Sequence, residues 1–272
     1  MPNPTPGRIN QAMSLRHARS VNFNDPRIIA LLSPLLVRDY YSYVDNFDNE
    51  SIANNDYWSV ASTGAGAADP VLSTALSLPT CVFTTGGGDP GVSTLHGTTA
   101  IHQSADNPWM YLKFRWPASV SAFAFEVGFT NIVTTKTTQC VSALTAAAVP
   151  TVGNGLTNGV LFCMDTAFTL TTPALVGIGT SIAATGVKFV QHLTTTAYTP
   201  TAAKWVDLYI QATVGGGYCE IYEDDALINR MTVESGPDTA IALFPYISFR
   251  DHSTSKVIHL NVAQIIAERN TR

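Results

Sequence analysis

"KWVDLYIQATVGGGYCEIYEDDALI", Lys204 to Ile228, decides how the chain is read. Two runs with strand character flank the Gly-rich break at 213–217, and Asp224-Asp225 follows as a second turn, since Asp tolerates turn geometry at modest cost. The stretch also sets four carboxylates, Glu220, Glu223, Asp224 and Asp225, in an otherwise charge-poor chain. Retaining cleavage of a glycosidic bond needs two carboxyl groups roughly 5–5.5 Å apart. In a regular strand the odd separation of Glu220 and Glu223 sends them to opposite faces. Cys219, Ile221 and Glu223 take one face, and Glu220, Tyr222 and Asp224 take the other. A bulge would be needed to reunite the pair, and nothing in the sequence demands one. The expected reading is a hairpin with no catalytic residues and no enzymatic activity.

Working outward, the same strand character recurs from Asp45 onward. It appears at 57–62, 81–85, 109–116, 121–131, 159–165, 186–193, 217–223, 240–250 and 256–268. In "WMYLKFRW", Met110, Leu112, Phe114 and Trp116 share one face while Tyr111, Lys113 and Arg115 share the other. About ten such runs without an intervening helical period predict an all-β, antiparallel two-sheet sandwich. The stretch 134–158, rich in Thr, Ala and Gly, reads as a long loop or insertion and a plausible contact surface. "TTGGGDPG" (84–91) lacks the Lys and following helix of a phosphate loop and reads as a turn or loop.

Composition narrows the function classes. Only 13% of residues are charged, against roughly 25% in ordinary soluble domains. No run of about 18 apolar residues predicts a membrane helix, and "MPNPTPGRINQ" has no apolar leader core. The net charge of -5 argues against nucleic acid as a partner, because phosphate binding needs clustered Lys and Arg. Cys81, Cys140, Cys163 and Cys219 show no zinc-type spacing, and no metal or cofactor is expected. Reduced thiols are the default reading, with a disulfide as the alternative.

Residues 1–44 differ from the rest. In "NDPRIIALLSPLLVRDYYSYV", Asn24 or Asp25 can cap a short helix with Pro26 at its first position, and Pro34 ends or kinks it. Such a helix is not stable alone, so its apolar stripe must lie against the chain's own sandwich or a partner. Ile28, Ile29, Leu31, Leu32, Leu35 and Leu36 are the candidate partner-docking residues. The expected organisation is an arm, 1–44, and a sandwich, 45–272.

Four stretches carry a resemblance: "DNFDNESIANNDYW" at 45–58, "FAFEVGFTN" at 123–131, the opening stretch with its hairpin, and "LFPYISFRDHSTSKVIHLNVAQIIAE" at 243–268. In this order they resemble the concanavalin A-like lectin/glucanase jelly roll, in the form found in tailed-phage virion proteins. Tyr222 stands where the glucanases of that fold carry a central Asp. The resemblance implies a virion structural protein, assembled in the host cytoplasm and docked by its arm. It would decorate or cement the capsid, contacting the major capsid protein or other virion proteins as a trimer or dimer. The alternative it implies is a carbohydrate- or receptor-binding module of a tail or head fibre. For that alternative a glycan is the partner, and Trp58 and Trp109 are candidate platforms.

Overall fold

The alternation in residues 109–115 builds the first sheet. Met110, Leu112 and Phe114 are fully buried, while Trp109, Tyr111, Lys113 and Arg115 are half-buried. That is the period-2 result of a strand with one face on a core. In the computed structural model, which describes residues 40–48, 52, 57–88, 91–98, 102–131, 139–144, 150–152, 156–166, 174–182, 188–234, 236–237 and 241–268, this strand (β7, Trp109–Arg115) is central to an eight-stranded sheet. The sheet runs β16 (Ala226–Val233), β15 (Gly216–Glu223), β14 (Trp205–Thr213), β7, β18 (Val257–Glu268), β4 (Thr80–Thr84) and β3 (Ala68–Ser73), with β1 (Tyr40–Asp45) also on β18. Strand β1 runs through the expected boundary at 44/45.

The second eight-stranded sheet runs β13 (Lys188–Ala197), β12 (Ala174–Ile182), β11 (Gly159–Asp165), β8 (Phe123–Thr130), β17 (Ala242–Asp251), β5 (Gly91–Gly97) and β2 (Trp58–Thr63), with β6 (His102–Gln103) on β17. Along both paths the pairings are antiparallel. Neighbours such as β7 and β14, or β8 and β17, are far apart in sequence, the mark of a jelly roll's long connections. The expected all-β two-sheet sandwich is thus what the described residues form. Ile28, Ile29, Leu31, Leu32, Leu35 and Leu36 lie outside them.

Between the sheets sits an aromatic core. Phe114 meets Trp116 edge-on at 4.8 Å, and Phe123 stacks on Phe249 at 6.0 Å. Ring pairs of this kind add to the area they bury. At the end of this core the Trp116 indole N–H donates to the Tyr198 hydroxyl, which donates to Glu223. Glu223 therefore points inward and away from Glu220, as the strand parity of the sequence requires.

The two sheets are buried differently. All eight residues of β8 and all seven of β5 are buried, whereas β7 alternates. On the back of the second sheet, Leu161, Cys163, Val176, Ile178 and Tyr246 form a second apolar cluster with Cys140 and Leu156. The last two come from the stretch expected to be a long loop. It contains a two-stranded sheet, β9 (Val141–Leu144) with β10 (Pro150–Val152), and its Cys140 and Leu156 pack on the main sheet. Buried Glu126 ties it down, accepting from the Cys140 backbone N–H at 2.8 Å and the Tyr246 hydroxyl at 3.3 Å. All four cysteines are free and buried, and burial pushes each thiol up, so they serve as small hydrophobes.

The hairpin of the opening stretch is tight. Asp224 and Asp225 both have positive φ, 46° and 67°, as the two central residues of a type I′ turn must. Asp adopts that region at some cost and Gly at none. Asp225→Gly should therefore stabilise the protein by about 0.5–1 kcal/mol, read as a rise in denaturation midpoint at unchanged slope. A fall in the midpoint would mean that the Asp225 side chain contributes more than its backbone costs.

Candidate functional site

Register assembles one surface that the linear sequence scatters. On the outer face of the first sheet, Gln264, Tyr111, Tyr209, Glu220 and Arg230 stand in one row across β18, β7, β14, β15 and β16. The row beside it holds Trp109, Gln211, Tyr218 and Thr232, and the row on its other side holds Lys113, Asp207 and Tyr222. Directly opposed side chains on antiparallel strands have Cβ atoms about 4.5–5.5 Å apart. The ring centroids agree: Tyr111 and Tyr209 lie 4.7 Å apart, and Tyr209 meets Tyr222 edge-on at 5.9 Å.

Glu220 anchors this surface. Its side chain is 1% exposed although it belongs to the outer face. Tyr222 donates its hydroxyl to Oε2 at 2.6 Å, Arg230 donates Nε to Oε1 at 2.5 Å, and the Tyr218 hydroxyl also donates to Oε1. Burial and then the Glu220 carboxylate push the Tyr218 phenol well up. A second carboxylate, Asp207, accepts from the Tyr111 hydroxyl at 2.6 Å. Asp207 faces Tyr222 while Glu220 faces Tyr209 on the neighbouring strand, so the two carboxylates are diagonal neighbours on one face. At the end of the sheet Arg115 donates to the Ala203 carbonyl, and burial followed by the Arg115 charge lowers the His259 pKa.

The two platform candidates part company. Trp109 lies half-buried on this face beside Gln211. Trp58 is 3% exposed; its indole N–H goes to Asp45, and Tyr43 and Tyr57 pack on it edge-on. Asp45 also accepts from the Phe47 backbone N–H, so the acidic opening of the sandwich is a buried hydrogen-bonding corner. Asp207, Tyr209 and Tyr218 were missed in sequence because their meaning depends on which strands pair. The alternation that could have placed them is visible in 109–115 and 205–213.

No family model and no curated protein matches the chain. Solved structures do. A protein of unknown function from Shewanella oneidensis MR-1 superposes with a TM-score of 0.58 at 13% identity, over 91% of this chain and 95% of that one. A family 16 glycoside hydrolase endo-glucanase from Bacteroides ovatus gives 0.51 at 6% identity, over 82% and 99%. An immunostimulatory antigen and pseudo β-1,3-glucanase of Mycobacterium tuberculosis gives 0.51 at 8%, over 84% and 98%. The fold is a concanavalin A-like jelly roll. These neighbours also correct the expectation that the chain is no enzyme. One is a family 16 endo-glucanase and another is a family 16 glycoside hydrolase, also from Bacteroides ovatus, bound to its product, and the single-strand test of Glu220 against Glu223 left out Asp207 on the adjacent strand.

Proposed function

We propose that the sandwich is a carbohydrate-binding module whose glycan lies across the outer face of the first sheet. The observation that carries this reading is the convergence of Trp109, Tyr111 and Tyr218 with Asp207, Glu220 and Arg230 on three neighbouring ladders. Rings offer the apolar faces of sugars a stacking surface, and fixed polar groups orient the hydroxyls. Tyr209 and Tyr222 lie deeper than the outer rings and hold them, and Glu220, buried deeper still, fixes Tyr218 and Arg230 from beneath. Of the two virion settings, a fibre's receptor-binding module uses this face directly. Capsid decoration draws instead on Ile28, Ile29, Leu31, Leu32, Leu35 and Leu36, outside the described residues.

Hydrolysis is a second reading with its own observation. Residue positions of diagonal neighbours in a sheet sit roughly 7–8 Å apart, a spacing from which two side chains can place carboxyl groups in the range of about 6.5–9.5 Å that inverting glycosidases use. One experiment tests both. The full chain is titrated with a panel of soluble polysaccharides while reducing ends are counted. Trp109→Ala should weaken binding about tenfold, the loss of one aromatic contact of roughly 1.4 kcal/mol. If no polysaccharide binds the unaltered chain, the proposal fails. Release of reducing ends that disappears in Glu220→Gln would make the face catalytic.

A further inference from the structure

We infer that the ligand of this face is an anionic glycan, one bearing carboxylate or sulfate groups, rather than a neutral glucan; this rests on the glycan-binding reading above. The argument is a balance of charges. Along β7, β14, β15 and β16 this face carries two carboxylates, Glu220 and Asp207, and three permanent cations, Lys113, Arg115 and Arg230. Both carboxylates are engaged within the face. Glu220 takes two phenols and Arg230, and Asp207 takes the Tyr111 phenol. The tyrosine hydroxyls thus occupy acceptor positions on both carboxylates, whose charges remain, so three cations against two carboxylates leave this face one net positive charge.

Lys113 shows the result most clearly. It stands directly opposite Asp207 in the β7–β14 ladder, yet Asp207 is bonded to Tyr111. Among the described residues no ion pair or hydrogen bond holds the Lys113 ammonium. Arg230 meets Glu220 through Nε, and its side chain remains 58% exposed. Arg115 uses its Nε on a carbonyl, and among the described residues no ion pair holds its charge. His259, facing Arg115 across β18 and β7, is kept neutral by burial and that charge.

A cationic strip on a chain of net charge -5 is informative. The net negative field would repel polyanions from this protein, so binding of one would have to be local. Carboxylate and sulfate offer Lys and Arg charge-assisted hydrogen bonds, stronger than those a neutral hydroxyl provides. The rings of Trp109 and Tyr111 would pack on the sugar faces between the charged substituents.

The test uses the full chain and four probes: polygalacturonate and dextran sulfate, with laminarin and unsulfated dextran as neutral counterparts. The expected result is binding to at least one anionic probe and at least tenfold weaker binding to its neutral counterparts. Binding should weaken steeply in 1 M salt, where the Debye length is about 3 Å. Lys113→Met should lose roughly tenfold in affinity, one charge-assisted contact, whereas Lys113→Arg should retain most of it. A melting curve unchanged in both variants confirms that the fold is intact. The arm that binds identifies carboxylate or sulfate as the recognised group. Equal binding of laminarin or dextran, or anionic binding indifferent to Lys113→Met, would overturn the inference and leave the glycan-binding reading standing. Binding of no probe and no other polysaccharide sinks both.

Discussion

Gly128→Ala should cost at least about 3 kcal/mol, the upper end for an overpacked interior. A Cβ at this position would stand 2.0 Å from the Val160 carbonyl oxygen and 3.0 Å from the Leu161 Cα. Both atoms are backbone of β11, so no side-chain rotation can relieve the contact. The strand cannot move away either, because β17 pairs with β8 on its other side through Tyr246. The backbone adds its own demand, with φ at +152°, a value that L side chains rarely adopt. Gly215→Ala separates the two contributions. Gly215 has φ of +76°, and a Cβ there would meet nothing within 4 Å, so it should cost only about 1–2 kcal/mol, the conformational term alone. Denaturant unfolding of both variants, with slopes unchanged from the parent, makes the comparison. Equal costs would mean that the β8–β11 approach is looser than described.

Glu220→Ala should cost about 3 kcal/mol and abolish glycan binding together. Hydrogen bonds to a charged group contribute about 1.5–3 kcal/mol each and do not add fully. Three donors converge here on one carboxylate, and the alanine leaves their cluster without its centre. Glu220→Gln keeps the volume and one acceptor oxygen, so it should lose about half as much stability. The Tyr218 phenol supplies a readout that mere loosening would not give. Burial and Glu220 hold it above its ordinary value near 10, so its ultraviolet titration should move down in Glu220→Ala. The sign for stability follows. A phenol raised on folding keeps its proton where the unfolded chain has lost it, so stability falls as pH rises past about 10. That fall should be shallower in the variant. A Tyr218 titration unmoved by Glu220→Ala would break the proposed link between the two groups.

Much of the sandwich was legible in the sequence because alternation is a local signal. The run 159–165 coincides with β11, and 109–116 with β7. The strands that were overlooked have physical reasons for it. β12, "ALVGIGTSI", carries two glycines, and β5, "GVSTLHG", begins and ends with one and holds Ser, Thr and His at buried positions. β16 has exposed Leu227 and Ile228 at the sheet edge, so its apolar residues do not mark a core face. The hairpin was read correctly down to the opposite faces of Glu220 and Glu223. The site was not, because Asp207 meets Glu220 only through a pairing that closes when the whole fold is in place. Residue type alone also promoted Trp58, which Asp45 and two tyrosines take into the interior.

The covered back of the second sheet bears on how such a molecule can change. A bare sandwich offers two broad faces on which substitution can create new contacts without disturbing the core. Here β8, β11 and β17 are committed on both sides, to the aromatic interior and to the cluster around Cys140 and Leu156. Nearly every residue in them is held by packing. Innovation in what the molecule meets is thereby channelled to alternate positions of β7, β14 and β15. The packing of Cys140 and Leu156 that fixes one sheet on both faces leaves the other as the adaptable side.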